Sequence, residues 1–186
     1  MPQSVERMIE DILKREGGFV NHPADRGGPT RFGITQKTLS GYLRRPATID
    51  EVQRLSPELA TEIYRCDYFV APRLDTLPER IQPFAFDSAV NHGPARAVRF
   101  VQQVCNAAGF GPIDVDGVCG PETRGVAAEA DRAMGPWLLA ALVEERRNFY
   151  HLIVAGDPAQ EVFVAGWLNR VKEFWPADLP ELPEAA

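Results

Sequence analysis

An all-α fold with one small β element near residues 21–34 is the architecture this sequence predicts, and three observations carry it. Apolar residues recur at three- and four-residue spacing along most of the chain; Ser, Thr and Pro stand where helices would begin; and the Gly- and Pro-rich run from Asn21 to Ile34 has no helical period. The 186 residues suit one domain or one domain with an appendage, at roughly 150 residues per domain. Hydrophobic residues at 45% and charged residues at 25% exclude a disordered or collagen-like chain, and 16 prolines with 15 glycines imply many short, punctuated elements.

The elements follow in order. Ser4 caps a first helix in which Val5, Met8, Ile9, Ile12 and Leu13 form one apolar stripe, ending at Gly17-Gly18. After the Asn21 to Ile34 loop, Thr35 restarts a helix to about Leu43. Thr48 and Glu51 have the spacing of a capping box, and Ser56-Pro57 opens a helix to about Phe69. Beyond the link from Ala71 to Pro78, a helix runs to Val90 and is broken by Asn91-His92-Gly93-Pro94. The next carries a stripe of Ala97, Val98, Val101, Val104, Cys105 and Ala108 and closes at Gly109. Pro121 begins another helix after the loop from Phe110 to Gly120, and Pro136 and Pro158 open the last two. From Pro176 the tail holds three prolines, three acids and no basic residue, the composition of a frayed end.

The formal net charge of −6 argues against a nucleic-acid binder, which carries a basic balance. Its distribution is uneven. From Ile12 to Ile49 seven basic residues (Lys14, Arg15, Arg26, Arg31, Lys37, Arg44 and Arg45) face two acids (Glu16 and Asp25), a local charge of +5 that suits either an anionic polymer or a solvated basic face. Cys66, Cys105 and Cys119 are odd in number and lack metal-ligand spacing, so they read as reduced, mostly buried thiols. His22, His92 and His151 are too scattered for a metal site, and no metal or other cofactor is implied. Trp137, Trp167 and Trp175 read as core rather than as sugar-stacking platforms. No leader-like segment is visible and the longest apolar run, Trp137 to Val143, is too short to span a membrane, so synthesis in the cytoplasm without stable membrane insertion is expected.

Three residues suggest chemistry. Glu16 follows Ile12 by four positions and Leu13 by three, so it extends the apolar stripe of the first helix. Burial there would raise its pKa towards that of a general acid, whereas fraying at Gly17-Gly18 would leave it an ordinary surface glutamate. Asp25 comes nine residues later and Thr30 five beyond that. Glycoside hydrolysis uses such a division, one protonated carboxyl for the leaving oxygen and one ionised carboxylate for a water or the sugar cation. Turn chemistry accounts equally for an Asp before Arg-Gly-Gly, and a surface hydroxyl for Thr30.

The run Glu16-Gly17-Gly18-Phe19-Val20-Asn21, then Pro23, Asp25, Gly27-Gly28, Thr30 and Gly33-Ile34-Thr35, resembles the signature of glycoside hydrolase family 108, the N-acetylmuramidases of phages and bacteria. It resembles more loosely the Glu, Asp, Thr constellation of phage-type lysozymes, although the threonine here stands one position earlier relative to the following glycine. Phe86-Asp87-Ser88-Ala89-Val90-Asn91-His92-Gly93 looks like the family's second motif, found at the substrate cleft of lysozyme-like folds; Asn91 would hold an acetamido group or the catalytic water, or would simply end one helix and cap the next. Val115-Asp116-Gly117-Val118-Cys119-Gly120-Pro121-Glu122-Thr123, preceded by Gln102 and Gln103, resembles a peptidoglycan-binding module, though an Asp-Gly turn and a first-turn proline explain much of it. The stretches Arg147-Asn148-Phe149-Tyr150 and Phe163 to Arg170 look like the family's C-terminal part.

The resemblance implies a lysozyme-like catalytic part at 1–93, a helical peptidoglycan-binding part at 94–175 packed on it and a flexible tail at 176–186. It implies cleavage of the β-1,4 bond between N-acetylmuramic acid and N-acetylglucosamine. Glu16, Asp25 and Thr30 would be catalytic, and Asn91, His92, Arg31, Gly33 and Asp116 would contact the glycan. The implied partner is the peptidoglycan strand, with a separate membrane pore, a holin, giving a monomeric endolysin access to the wall. A lytic transglycosylase and a noncatalytic wall-binding or secretion-assisting protein are the alternatives.

Overall fold

The computed structural model describes residues 4–15, 18–20 and 28–180. These are mainly helical, with one small antiparallel sheet, and they divide into two compact units between Pro72 and Arg73.

In the first unit, helix α1 (Val5–Arg15) buries Val5, Met8 and Ile9 on the face its spacing predicts and packs on α4 (Pro57–Arg65), whose Ala60, Ile63 and Tyr64 are buried. The Ser4 hydroxyl accepts from the Arg7 N–H at 3.3 Å, as expected of the cap. Strands β1 (Phe19–Val20), β2 (Thr30–Arg31) and β3 (Ile34–Thr35) form the sheet in that order. Phe19 pairs with Arg31, Val20 with Thr30, and Thr30 in turn with Thr35. The β element thus begins at Phe19 and ends at Thr35, wider than the loop that predicted it. Thr35 also caps α2 (Gln36–Leu43), accepting from the Thr38 N–H. Thr48 and Glu51 close the capping box on α3 (Ile49–Gln53). Ser56 caps α4, which ends at Arg65 and passes into a π-helical turn, Cys66–Val70, where a continuous helix to Phe69 was expected.

The basic run is partly neutralised inside this unit: Arg45 meets Glu51 at 2.6 Å, and Lys14 meets Asp11 at 3.8 Å. Ile34, Leu39, Val52 and Leu55 are also buried in this unit.

In the second unit, α5 (Gln82–His92) is apolar around most of its circumference, and Phe84, Ala85, Phe86 and Ala89 are wholly buried. An all-round apolar helix belongs at the centre of a bundle. It packs on α6 (Pro94–Ala107), which packs on α7 (Pro121–Met134) and α8 (Pro136–Gly156); α9 (Glu161–Lys172) covers α8. Gly109, at φ +85°, follows α6 as predicted. Pro158 opens only a short 3-10 turn, Pro158–Gln160, and α9 starts at Glu161, because Asp157 accepts from the Ala159 N–H and closes a tight turn first.

Two further expectations change. None of the three tryptophans is core: Trp137 is 53% exposed, while Trp167 and Trp175 are half-buried. The beginning of the tail is held, since the Trp175 indole N–H donates to the Pro180 carbonyl at 2.7 Å; residues 181–186 lie outside the described residues. The cysteines are free thiols, Cys105 and Cys119 buried and Cys66 half-buried. Among the described residues no helix is long and apolar enough to cross a membrane, and no cluster of His, Cys, Asp or Glu could hold a metal ion.

Candidate functional site

Of the eight site residues named from the sequence, Glu16 and Asp25 lie outside the described residues. Thr30, Arg31 and Gly33 come together on the β2–β3 hairpin. Its two-residue turn is Phe32-Gly33, with φ of +52° and +75°, the doubly positive pattern of a type I′ turn whose twist matches the flanking strands. Glycine takes such an angle freely; Phe32 does not, and its ring and carbonyl hold it there. The ring is buried and the carbonyl accepts from the buried Tyr64 hydroxyl at 2.9 Å. Thr30 is half-buried, and the Arg31 guanidinium donates to the Gln53 carbonyl while lying 5.1 Å from the Phe32 ring centre. Gly33 therefore shapes the hairpin that carries Thr30 and Arg31.

Asn91 and His92 come together at the end of α5. The helix runs through both, and Gly93, at φ +83°, ends it by donating its N–H to the Ala89 carbonyl at 2.9 Å. Gly93 is also the N-terminal cap position of α6, with no side chain capping it. Asn91 thus neither terminates α5 nor caps α6. Its side chain, on an exposed residue, donates Nδ2 to the Asp87 carbonyl at 2.7 Å and to Asp87 Oδ2 at 3.3 Å.

His92 is half-buried in an aromatic enclosure, its ring centre 5.3 Å from that of Phe149, 5.4 Å from Tyr150 and 6.2 Å from Phe100. Arg146 Nε donates to the Tyr150 hydroxyl at 2.8 Å, which leaves that hydroxyl's proton for His92 Nε2, 3.2 Å away. Burial, and then the positive charge of Arg146, push the His92 pKa down to about 4, so the ring is neutral around pH 7.

Reasoning from the sequence passed over the charged centre of this region. Asp87 is buried on α5, and its carboxylate receives Arg146 Nη1 at 2.6 Å and Arg170 through Nη2 at 2.7 Å and Nε at 3.0 Å. Arg146 also donates to the Ser88 hydroxyl at 3.2 Å. The Arg146 side chain is 0% exposed and the Arg170 side chain 38%. A buried carboxylate is tolerated when it is paired and hydrogen-bonded, and this one is both. A signal was present in the sequence: one acid in the apolar run Phe84-Ala85-Phe86-Asp87-Ser88-Ala89-Val90 must find a basic partner if the helix is buried.

Asp116 lies in the loop before α7. Its Oδ1 accepts from Gln102 Nε2 and from the Val118 N–H, both at 2.8 Å, and Gln102 Oε1 accepts the Gly117 N–H at 2.9 Å. These bonds, the Gln102 one foremost, lower the Asp116 pKa. Gly117 sits at φ +81°, and a Cβ there would lie 2.7 Å from the Ala95 carbonyl oxygen. The Asp-Gly motif thus serves to tie its loop to α6.

A mainly helical chain with a diminutive hairpin sheet following its first helix has a lysozyme-like fold. The model of a family described as Glycosyl hydrolase 108 matches residues 9–93, and one described as Predicted Peptidoglycan domain matches residues 96–172. The solved structure of Brucella abortus SagA is 33% identical, with a TM-score of 0.71 over 90% of this chain and 89% of that one. Comparison with curated proteins gives no match. The chain belongs to glycosyl hydrolase family 108 and is a peptidoglycan hydrolase.

Proposed function

We propose that the chain is an endolysin-type muramidase in which Glu16 protonates the glycosidic oxygen between N-acetylmuramic acid and N-acetylglucosamine. The observation that carries this reading is the hydrolase-family match over residues 9–93, which takes in the whole run from Glu16 to Thr35. Asp25, on the segment joining β1 to β2, would stabilise the oxocarbenium-like transition state or position the attacking water. Thr30, half-buried on β2, would hold that water, and Arg31 beside it would meet the glycan. At the end of α5, Asn91 would accept a hydrogen bond from an acetamido group, and neutral His92 would also contact the glycan.

The stretch 94–175 would keep the enzyme on the wall, supported by the peptidoglycan-domain match at 96–172. In this reading the protein is a monomer made in the cytoplasm and reaches its substrate through a separate holin pore or after lysis. Cells co-expressing it with a pore-forming protein should lyse, and cells expressing it alone should not.

Turnover of purified peptidoglycan by wild type and Glu16→Gln, with fragments identified by mass spectrometry, tests the chemistry. Wild type should release muropeptides with reducing muramic acid ends, and the variant should lose at least a hundredfold in rate. Anhydro-muramic products would assign a lytic transglycosylase instead, and binding to sacculi without turnover would assign a noncatalytic wall protein.

A further inference from the structure

The orientation of the Asn91 amide is dictated by what faces it. The Asp87 carbonyl and carboxylate are both acceptors, so only the amide nitrogen can turn towards them. The carbonyl oxygen of Asn91 is left pointing away, and among the described residues nothing donates to it. Because Gly93 ends α5 and stands at the start of α6, Asn91 has no structural duty at this helix break to compete with ligand binding.

Asp87 does not hold this position alone. Charged donors on both oxygens of a carboxylate fix its rotation. Arg170, from α9, brings Nη2 and Nε to Oδ1, with Nε also 3.4 Å from Oδ2, and Arg146, from α8, brings one donor to Oδ2. Both arginines lie within 96–172, the stretch matched by the peptidoglycan-domain model, whereas Asp87 and Asn91 lie within 9–93.

We propose that Arg170, with Arg146, is a positioning residue for glycan hydrolysis: by locking Asp87 it presents the Asn91 carbonyl oxygen as an acceptor for the N–H of a substrate acetamido group. The proposal rests on the muramidase reading above. It makes the enzyme selective for N-acetylated over de-N-acetylated glycan, and it makes that selectivity depend on a residue that never touches the sugar.

The experiment measures release of reducing ends from N-acetylated peptidoglycan and from the same material after chemical de-N-acetylation, as apparent kcat/KM. The proteins are wild type, Asn91→Ala, Arg170→Ala, Arg170→Lys and the Asn91→Ala/Arg170→Ala double variant, with thermal melting recorded for each. One neutral hydrogen bond corresponds to roughly a five- to tenfold preference. Wild type should show that preference and Asn91→Ala should abolish it. Arg170→Ala should reduce it by more than half, Arg170→Lys should restore part of it, and the double variant should be no worse than Asn91→Ala alone. A folded Arg170→Ala that slows both substrates equally overturns the proposal and leaves the role of Asn91 standing. An unchanged preference in Asn91→Ala removes both. A wild type that releases no reducing ends from either substrate defeats the muramidase reading itself.

Discussion

Asp87 and Arg146, 59 residues apart in sequence, form an ion pair at 2.6 Å with side chains 5% and 0% exposed. Breaking a buried pair costs about 3–5 kcal/mol when the other charge is left unpaired, and loss of Arg146 would leave Asp87 only the part-exposed Arg170. Arg146→Met should therefore lower unfolding free energy by up to about that amount in urea denaturation. Replacing the more exposed Arg170 by Ala should cost clearly less, since Asp87 keeps Arg146. Equal losses for the two arginines would contradict the difference in their burial.

The His92 environment gives a second expectation. With the folded pKa near 4 against an ordinary 6.5, the unfolded chain takes up this proton at higher pH than the folded chain does. The stability contributed by neutral His92 is complete above about pH 6.5 and is lost as pH falls towards 4, by something on the order of 2 kcal/mol. Urea unfolding at pH 7 and pH 4.5 for wild type and His92→Asn isolates this share. The acid-induced loss should be smaller in the variant, and identical losses would show that His92 does not titrate as its surroundings require.

The turn glycines are separable by experiment. Gly109→Ala meets only the cost of a positive φ, about 1 kcal/mol, since nothing lies within 4 Å of where its Cβ would stand. Gly117→Ala adds a clash with the Ala95 carbonyl, which is backbone and cannot swing aside, so it should cost at least twice as much. Tyr64→Phe, which removes the donor to Phe32, should cost about 1–2 kcal/mol. Thermal or urea melts rank the three.

Thiol labelling checks the burial of the cysteines. Burial raises the Cys105 pKa to about 11 and raises that of Cys119 as well, so both are poor nucleophiles in the folded protein. A thiol-reactive dye should label half-buried Cys66 first, with the other two reacting only as the protein unfolds.

Helix ends were legible in the sequence because their signals are local. The Thr48–Glu51 box, the Ser56 cap and the Gly109 terminus each depend on residues within four positions of one another. The strands were legible only as an interruption of helical period, since two residues apiece are too few to alternate. The Asp87 cluster was not, because its partners stand 59 and 83 residues away and no periodicity links them. Trp137 was misplaced because its seven-residue apolar run reads as interior all round, whereas α8 turns that residue outward. At the site, the hairpin motif marked Gly33 and the helix break marked Asn91, but only the fold shows that one shapes a turn and the other is held by an acid.

The Asp87 cluster also bears on how such chains can change over generations. The acid sits in the stretch matched by the hydrolase model and its two bases in the stretch matched by the peptidoglycan-domain model, with the seam at residues 93–96. A recombinant joined at that seam to a foreign partner would inherit a buried carboxylate without its counter-charges. Lineages that trade wall-recognition segments must therefore exchange them upstream of α5, or carry α8 and α9 along as a dowry.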